Sequence, residues 1–366
     1  MEKLEILNEL REFYAGKRIF LTGHTGFKGA WMLFLLRELG ADVSGYSLAP
    51  LHKNDLYVLA GGESLCNSRI ADIRDRESVE AAISAVRPDL IFHLAAQPLV
   101  RESYRRPLET FDTNIMGSVH VLDAMRRLPD ACTAVMITTD KVYENMEGGF
   151  PYKENDRLGG FDPYSSSKAA AEICIASYQK AFFTPEVFAE HGKAVAAARG
   201  GNVIGGGDRA DDRIIPDLIR AIEADEELKV RNPQAIRPWQ HVLELLYGYL
   251  LLGMRLSRDP LHCQGAFNFG PCDQDEMTVE ELVTTAIRIY GKGRYIHRSD
   301  AEKLHEAGIL RLNIDKAMRV LDWHPRWSSA TAAEKTIRWY RQVAEGENAA
   351  LSCRRQILEY FGEEKA

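Results

Sequence analysis

The chain is poor in cysteine, and the few it has follow no pairing pattern. Cys66, Cys132, Cys174, Cys263, Cys272 and Cys353 form no CxxC pair and have no histidine at metal-ligand spacing. This argues against a disulfide scaffold and a zinc frame, and it points to reduced thiols in a cytoplasmic protein without a metal. Also missing is any apolar run of about 18 residues, the length that a membrane-spanning helix needs. The opening residues Met1–Phe13 carry charge throughout, so neither an export signal nor a membrane partner is expected. There is no basic cluster: the formal net charge is −7, with 46 Lys and Arg against 53 Asp and Glu. A nucleic-acid partner is therefore not expected, whereas a small phosphate ligand needs only local donors. Repeats and low-complexity tracts are absent too. What remains is a 366-residue chain, 45% hydrophobic, long enough to bury one large core and a smaller lobe.

What is present is alternation. Lys17–Thr22 reads as a strand, and Gly23-His24-Thr25-Gly26-Phe27-Lys28-Gly29 follows it directly, before a helical run from Ala30 to Leu39. Glycines spaced GxxGxxG between a strand and a helix allow a tight turn and close approach of a pyrophosphate to backbone N–H groups. Further strands are predicted at Asp42–Tyr46, ending at Ile70–Ile73, at Asp89–Ala96, at Ala134–Ile137 and at Ala194–Ala198. Helices are predicted between them, at Ser78–Val86, Pro107–Leu128 and onward from Pro163. This order implies an α/β, Rossmann-type doubly wound parallel sheet with a smaller mixed α/β C-terminal lobe for substrate. The expected boundaries are a helical extension over 1–15, a dinucleotide-binding domain over 16–200 and the smaller lobe over 201–366, with the chain crossing between lobes.

The stretch 137–168 carries the densest chemistry. It ends a strand with Thr138-Thr139-Asp140-Lys141 and opens a helix with Asp162-Pro163-Tyr164, where Asp162 suits an N-cap and Pro163 the first helical position. Tyr164 and Lys168 are i and i+4, so they share a helix face, and an ammonium beside a phenol favours the phenolate. Such a tyrosine can take the proton from a sugar hydroxyl while the carbon beneath it gives up hydride. Ligands in a parallel sheet lie at the carboxyl ends of its strands. The glycine turn, Asp72 with Ile73, Leu94-Ala95-Ala96, and Thr138 to Asp140 all fall there. In the later segment, Arg213 and Arg237 can each fork onto a phosphate or stand as solvated surface cations.

Taken together, the glycine turn, HLAA (93–96), TTDKVY (138–143), YSSSK (164–168), ARGGNVIGGGD (198–208) and RPWQHV (237–242) resemble the extended short-chain dehydrogenase/reductases that act on nucleotide sugars. HTGFK, TTDK and RNPQAIRPWQH are most similar to the CDP-glucose 4,6-dehydratases. The resemblance runs from about residue 15 to about residue 330. It implies NAD as cofactor, CDP-glucose as substrate and a homodimer. Catalytic roles then fall to Thr139, Asp140, Lys141, Tyr164 and Lys168: Tyr164 as base at O4, Asp140 as acid at O6, and Lys141 as base at C5 or as a charge that stabilises the enolate. The cofactor would be held by residues 23–29, Asp72, Ile73, residues 94–96, Thr113, Thr138, Tyr164 and Lys168, with His24 and Lys28 adding cations near the pyrophosphate. Gln97, Ser103, Asn202, Arg213, Arg237 and His241 would contact substrate. The second strand ends Tyr46-Ser47-Leu48, with no acid for a ribose and no arginine for a 2′-phosphate, so NAD follows from the resemblance alone. A nucleotide-sugar 4-epimerase or reductase, or a non-catalytic dinucleotide-binding regulator, are the other readings.

Overall fold

The computed structural model describes residues 2–146, 150–272, 275–298 and 310–363. Seven parallel strands form its main sheet: β1 (Arg18–Thr22), β2 (Asp42–Ser47), β3 (Asn67–Ile70), β4 (Leu90–His93), β5 (Cys132–Ile137), β6 (Lys193–Gly200) and β7 (Gly265–Phe269). Their order across the sheet is β3-β2-β1-β4-β5-β6-β7. The order reverses between β1 and β4, which opens a crevice at the carboxyl ends of those two strands. β5 and β6 are buried at every position, as strands covered by helices on both faces must be.

Two apolar layers sandwich the sheet. One contains Trp31, Leu33, Leu35, Phe92, Val135 and the helix Val242–Arg258; the other contains Phe20, Tyr46, Ile83, Val121, Met125 and Ile175. The N-terminal helix Glu2–Tyr14 docks on the first layer, where the Tyr14 hydroxyl donates to the Leu250 carbonyl at 2.8 Å. β7 and helix Val242–Arg258 are built from residues well beyond 200, so the chain returns to the main sheet after its first excursion. Outside the sheet lie short pairings, Glu227–Val230 with Arg294–His297 and Ile236–Arg237 with Met277–Thr278, together with helices Ile214–Ala224 and Val279–Tyr290.

The helix expected over Pro107–Leu128 is interrupted. It forms Pro107–Phe111, a π turn over Asp112–Met116, and Gly117–Arg126. Two contacts account for the wide turn. Asn114, fully buried, bonds to the Gln97 backbone N–H and carbonyl and donates to the Ser167 hydroxyl at 2.8 Å. Gly117 lies so close to Ile73 that a Cβ there would come within 2.8 Å of it. Wide turns of this kind are frequent beside functional sites.

Candidate active site

The glycine turn is built around forced contacts. Gly23 has φ +75°, and a Cβ on it would sit 2.8 Å from the Ala95 backbone nitrogen; one on Gly29 would sit 1.9 Å from the Gly23 carbonyl oxygen. Only glycine fits either place. Gly26 differs, because a Cβ there would meet just the Gly23 oxygen, at 3.5 Å. It is the N-cap of helix Phe27–Glu38, so the first N–H groups of that helix receive no capping side chain. Those donors suit a pyrophosphate.

His24 does not play the part expected of it. Its ring lies buried between Gly45 and Tyr57, with Nε2 2.8 Å from the Ser68 hydroxyl. Burial lowers its pKa to about 4, so the imidazole is neutral near pH 7 and supports the turn from beneath. Lys28 does reach the cavity, and burial together with Arg213 lowers it to about 8. On the other flank, Asp72 binds Arg74 through both carboxylate oxygens, at 2.6 Å for the closest contact, and Ile73 is buried beside Gly117.

A cavity of about 1390 Å³ opens at the carboxyl ends of β1, β4, β5 and β6. The structure brings Thr139, Asp140, Lys141, Tyr164, Asn202, Arg213 and Arg237 together on its wall. The Thr139 hydroxyl donates to Asp140 Oδ1 at 2.9 Å, and Lys141 Nζ lies 3.8 Å from the same oxygen. Asp140 is only 1% exposed, and Gly201 makes room for it: a Cβ on Gly201 would stand 2.0 Å from Asp140 Oδ2. Tyr164 and Lys168 share the buried face of helix Pro163–Ala181, whose first turn is capped by Asp162 accepting from the Ser165 N–H at 2.9 Å. Burial pushes the Tyr164 phenol up to about 12, against the Thr139 hydroxyl, which lowers it. Lys168 does not offset that burial. Its Nζ donates to the Ile137 carbonyl at 3.1 Å, and burial, then Lys28, lower its pKa to about 7, so it holds only part of its charge at neutral pH.

One turn past Lys168, Glu172 accepts from the Thr138 hydroxyl at 2.6 Å and from Arg199 Nε at 2.7 Å. Arg199 also donates to the Tyr143 hydroxyl, which donates to Asn268 on β7. This buried network joins the ends of β5, β6 and β7 to helix Pro163–Ala181.

Three expected substrate contacts lie away from the cavity wall. Ser103 is fully buried and donates to the Val100 carbonyl at 2.6 Å, the usual back-bond of a helical serine. His241 is buried between Trp31 and Trp327, and its Nδ1 accepts from the Leu243 N–H as the cap of helix Val242–Arg258. Gln97 spends its amide on the Leu99 carbonyl and the Thr110 hydroxyl. Conversely, Arg101, Lys229, Arg231 and Arg298 line the cavity and were not picked out by motif. Arg231 opens the segment RNPQAIRPWQH, which was the one signal available. Arg101 and Arg231 both pair with Asp212, at 3.6 and 3.5 Å.

Strand order, glycine turn and a buried tyrosine–lysine pair on one helix, with the tyrosine on the cavity wall, define the short-chain dehydrogenase/reductase class. Within that class the chain belongs to the GDP-mannose 4,6 dehydratase family, whose model matches residues 20–344. It is 41% identical over 351 residues to a CDP-glucose 4,6-dehydratase of Salmonella typhimurium, covering 96% of this chain and 98% of that one. It is 25% identical to a UDP-glucose 4-epimerase of Halalkalibacterium halodurans, over 90% of this chain and 97% of the other. A similar fold is found in DesIV, a dTDP-glucose 4,6-dehydratase of Streptomyces venezuelae with NAD and TYD bound: TM-score 0.75, 22% identity, 89% of this chain and 97% of that one. Among the described residues no helix is long and apolar enough to cross a membrane, and no cluster of side chains could hold a metal ion.

Proposed function

We propose that this protein is a CDP-glucose 4,6-dehydratase that works with NAD. The observation that carries this reading is the 41% identity to such an enzyme across nearly the whole of both chains. The cavity supports it, since Asp140 stands beside Thr139 on the wall that also holds Tyr164. An epimerase needs the tyrosine but has no use for an acid there. The cofactor would lie over the uncapped N–H groups of helix Phe27–Glu38, with Lys28 at the pyrophosphate and Thr113, Ala95 and Thr138 along the crevice. When bound, NAD supplies a hydride acceptor at C4 and a hydride donor at C6. Tyr164 takes the O4 proton as its phenolate, a form that burial opposes in the cofactor-free site and that the Thr139 hydroxyl and the positive charge of a bound NAD would favour, while Lys168 holds the end of β5 through the Ile137 carbonyl. The ketone acidifies the C5 hydrogen; Lys141 takes that proton, or stabilises the enolate while another base takes it, Asp140 protonates the departing O6 so that water leaves, and C5 regains one proton as hydride reaches C6. Arg213, Arg237 and Asn202 would bind the diphosphate and sugar.

In this reading, residues 16–200 hold the cofactor and residues 201–366 the nucleotide sugar, with β7 and helix Val242–Arg258 crossing back. The protein would act as a cytoplasmic homodimer. Incubation of the purified protein with CDP-glucose and catalytic NAD tests the activity. A 4-keto sugar absorbing in alkali should form with no lasting rise in NADH; stoichiometric NADH would instead mark a simple dehydrogenase.

A further inference from the structure

A second, separate cavity reaches Asp140. It is small, about 20 Å³, and is walled by Asp140, Gly201, Gln240 and Gly270, with Cys272 and Glu276 toward its outer end. That is room for one water molecule, provided polar groups await it. They do. Gln240 is 2% exposed, and its Nε2 donates to the Gly201 and Phe269 carbonyls, at 3.2 Å each. Its Oε1 is buried and has no hydrogen-bond partner among the described residues. An acceptor left so carries a desolvation cost that a bound donor removes. Asp140 offers the second acceptor: Oδ1 is taken by Thr139, while Oδ2 faces Gly201, which belongs to the same small cavity.

We propose that this cavity binds one ordered water, donating to Gln240 Oε1 and to the Asp140 carboxylate, and that the acid is reprotonated through it from the outer face near Cys272. The inference rests on the dehydratase reading, in which each turnover transfers one proton from Asp140 to O6 and breaks the C6–O6 bond with release of water. Asp140 is then a carboxylate and must regain one proton, while Tyr164 holds the proton from O4 and gives it up to solvent through the main cavity. The two transfers cancel, so no net proton is consumed. While substrate or product fills the main cavity, this water gives a carboxyl that is 1% exposed its own path to the bulk, so that Asp140 need not wait for product release as Tyr164 does. The water accepts a proton from outside and passes one on to Oδ2, and Gln240 is a positioning residue that fixes the water.

A crystal structure of the unmodified protein with ordered solvent gives the direct test. Density for a single water within hydrogen-bond reach of both Gln240 Oε1 and Asp140 is expected; a collapsed or dry cavity overturns the proposal. Kinetics test the role. In Gln240→Met, NADH formation in the first turnover should stay near native. Elimination in that first turnover should stay near native too, whereas steady-state turnover should slow about tenfold or more, with a larger solvent deuterium effect on kcat. A first turnover slowed as much as the later ones, or an unchanged isotope effect, would show that Gln240 merely supports the fold. Failure of the native protein to convert CDP-glucose would defeat the functional reading instead, and would leave the density result to judge the water site by itself.

Discussion

At the residue scale, the site is governed by what burial does to charge. The sequence placed Tyr164 and Lys168 on one helix face, and they are there; it could not show that burial outweighs the lysine's effect on the phenol. Lys168 is held at about 7 against an ordinary 10.5. Between those values the unfolded chain keeps a proton that the folded chain has lost, so this group's contribution to stability rises with pH across that window. Below about 7 the folded protein buries the cation at full cost. Lys168→Met should therefore abolish turnover yet stabilise the cofactor-free fold at pH 6 by about 1 kcal/mol or more, even after losing the bond to Ile137. Thermal melts at pH 6 and pH 10 check this, and a gain that does not shrink at the higher pH would contradict it. His24 shows the same limit of legibility: its neutrality comes from burial against Gly45 on the next strand and Tyr57 beyond it.

Among the residues proposed to be catalytic, Lys141 has two roles that experiment can separate. It is one-third exposed and pairs with Asp140 at 3.8 Å. If Lys141 is the C5 base, Lys141→Met should reduce NAD once with CDP-glucose and then stall, with no deuterium entering C5 in heavy water. C5 exchange at a near-native rate in that variant would limit Lys141 to stabilising the enolate.

At the scale of elements, strands and helices were legible because their apolar runs and glycine punctuation are local. The π turn and the role of β7 were not, since each depends on a partner remote in sequence: Asn114 on Ser167, and Asn268 on Tyr143. The helix carrying Tyr164 is pinned by the pair of Glu172 and Arg199, each 4% exposed. Removing one charge leaves the other buried and unpaired, which typically costs about 3 kcal/mol or more. Glu172→Gln should lose about that much in a urea titration, and the double variant Glu172→Gln with Arg199→Met should regain most of it. A single variant as stable as native would mean that the pair is already hydrated.

At the scale of the whole molecule, the cavity gathers cations from segments far apart: Arg213 and Arg237 stood out in the sequence, whereas Arg101, Arg231 and Arg298 did not. The proposed homodimer belongs to this scale too. Helices Pro107–Phe111 and Pro163–Ala181 pack side by side with the π turn between. Their outer face presents Leu108 at 84% exposure, Ile173 at 62% and Met116 at 43%. Large apolar side chains this exposed on adjoining helices suit a two-fold contact, in which the same patch meets its copy and buries about 800 Å² on each side. Ile173 points away from the Lys168 and Glu172 face, so a charge placed there disturbs the contact and not the site. Ile173→Glu should sediment at the 41.2 kDa of one chain while the native protein sediments at twice that mass. Because Ile173 does not line the cavity, the variant should still turn over CDP-glucose. Native protein sedimenting as a single chain at micromolar concentration would remove the dimer, and a dimeric Ile173→Glu would move the interface to another face.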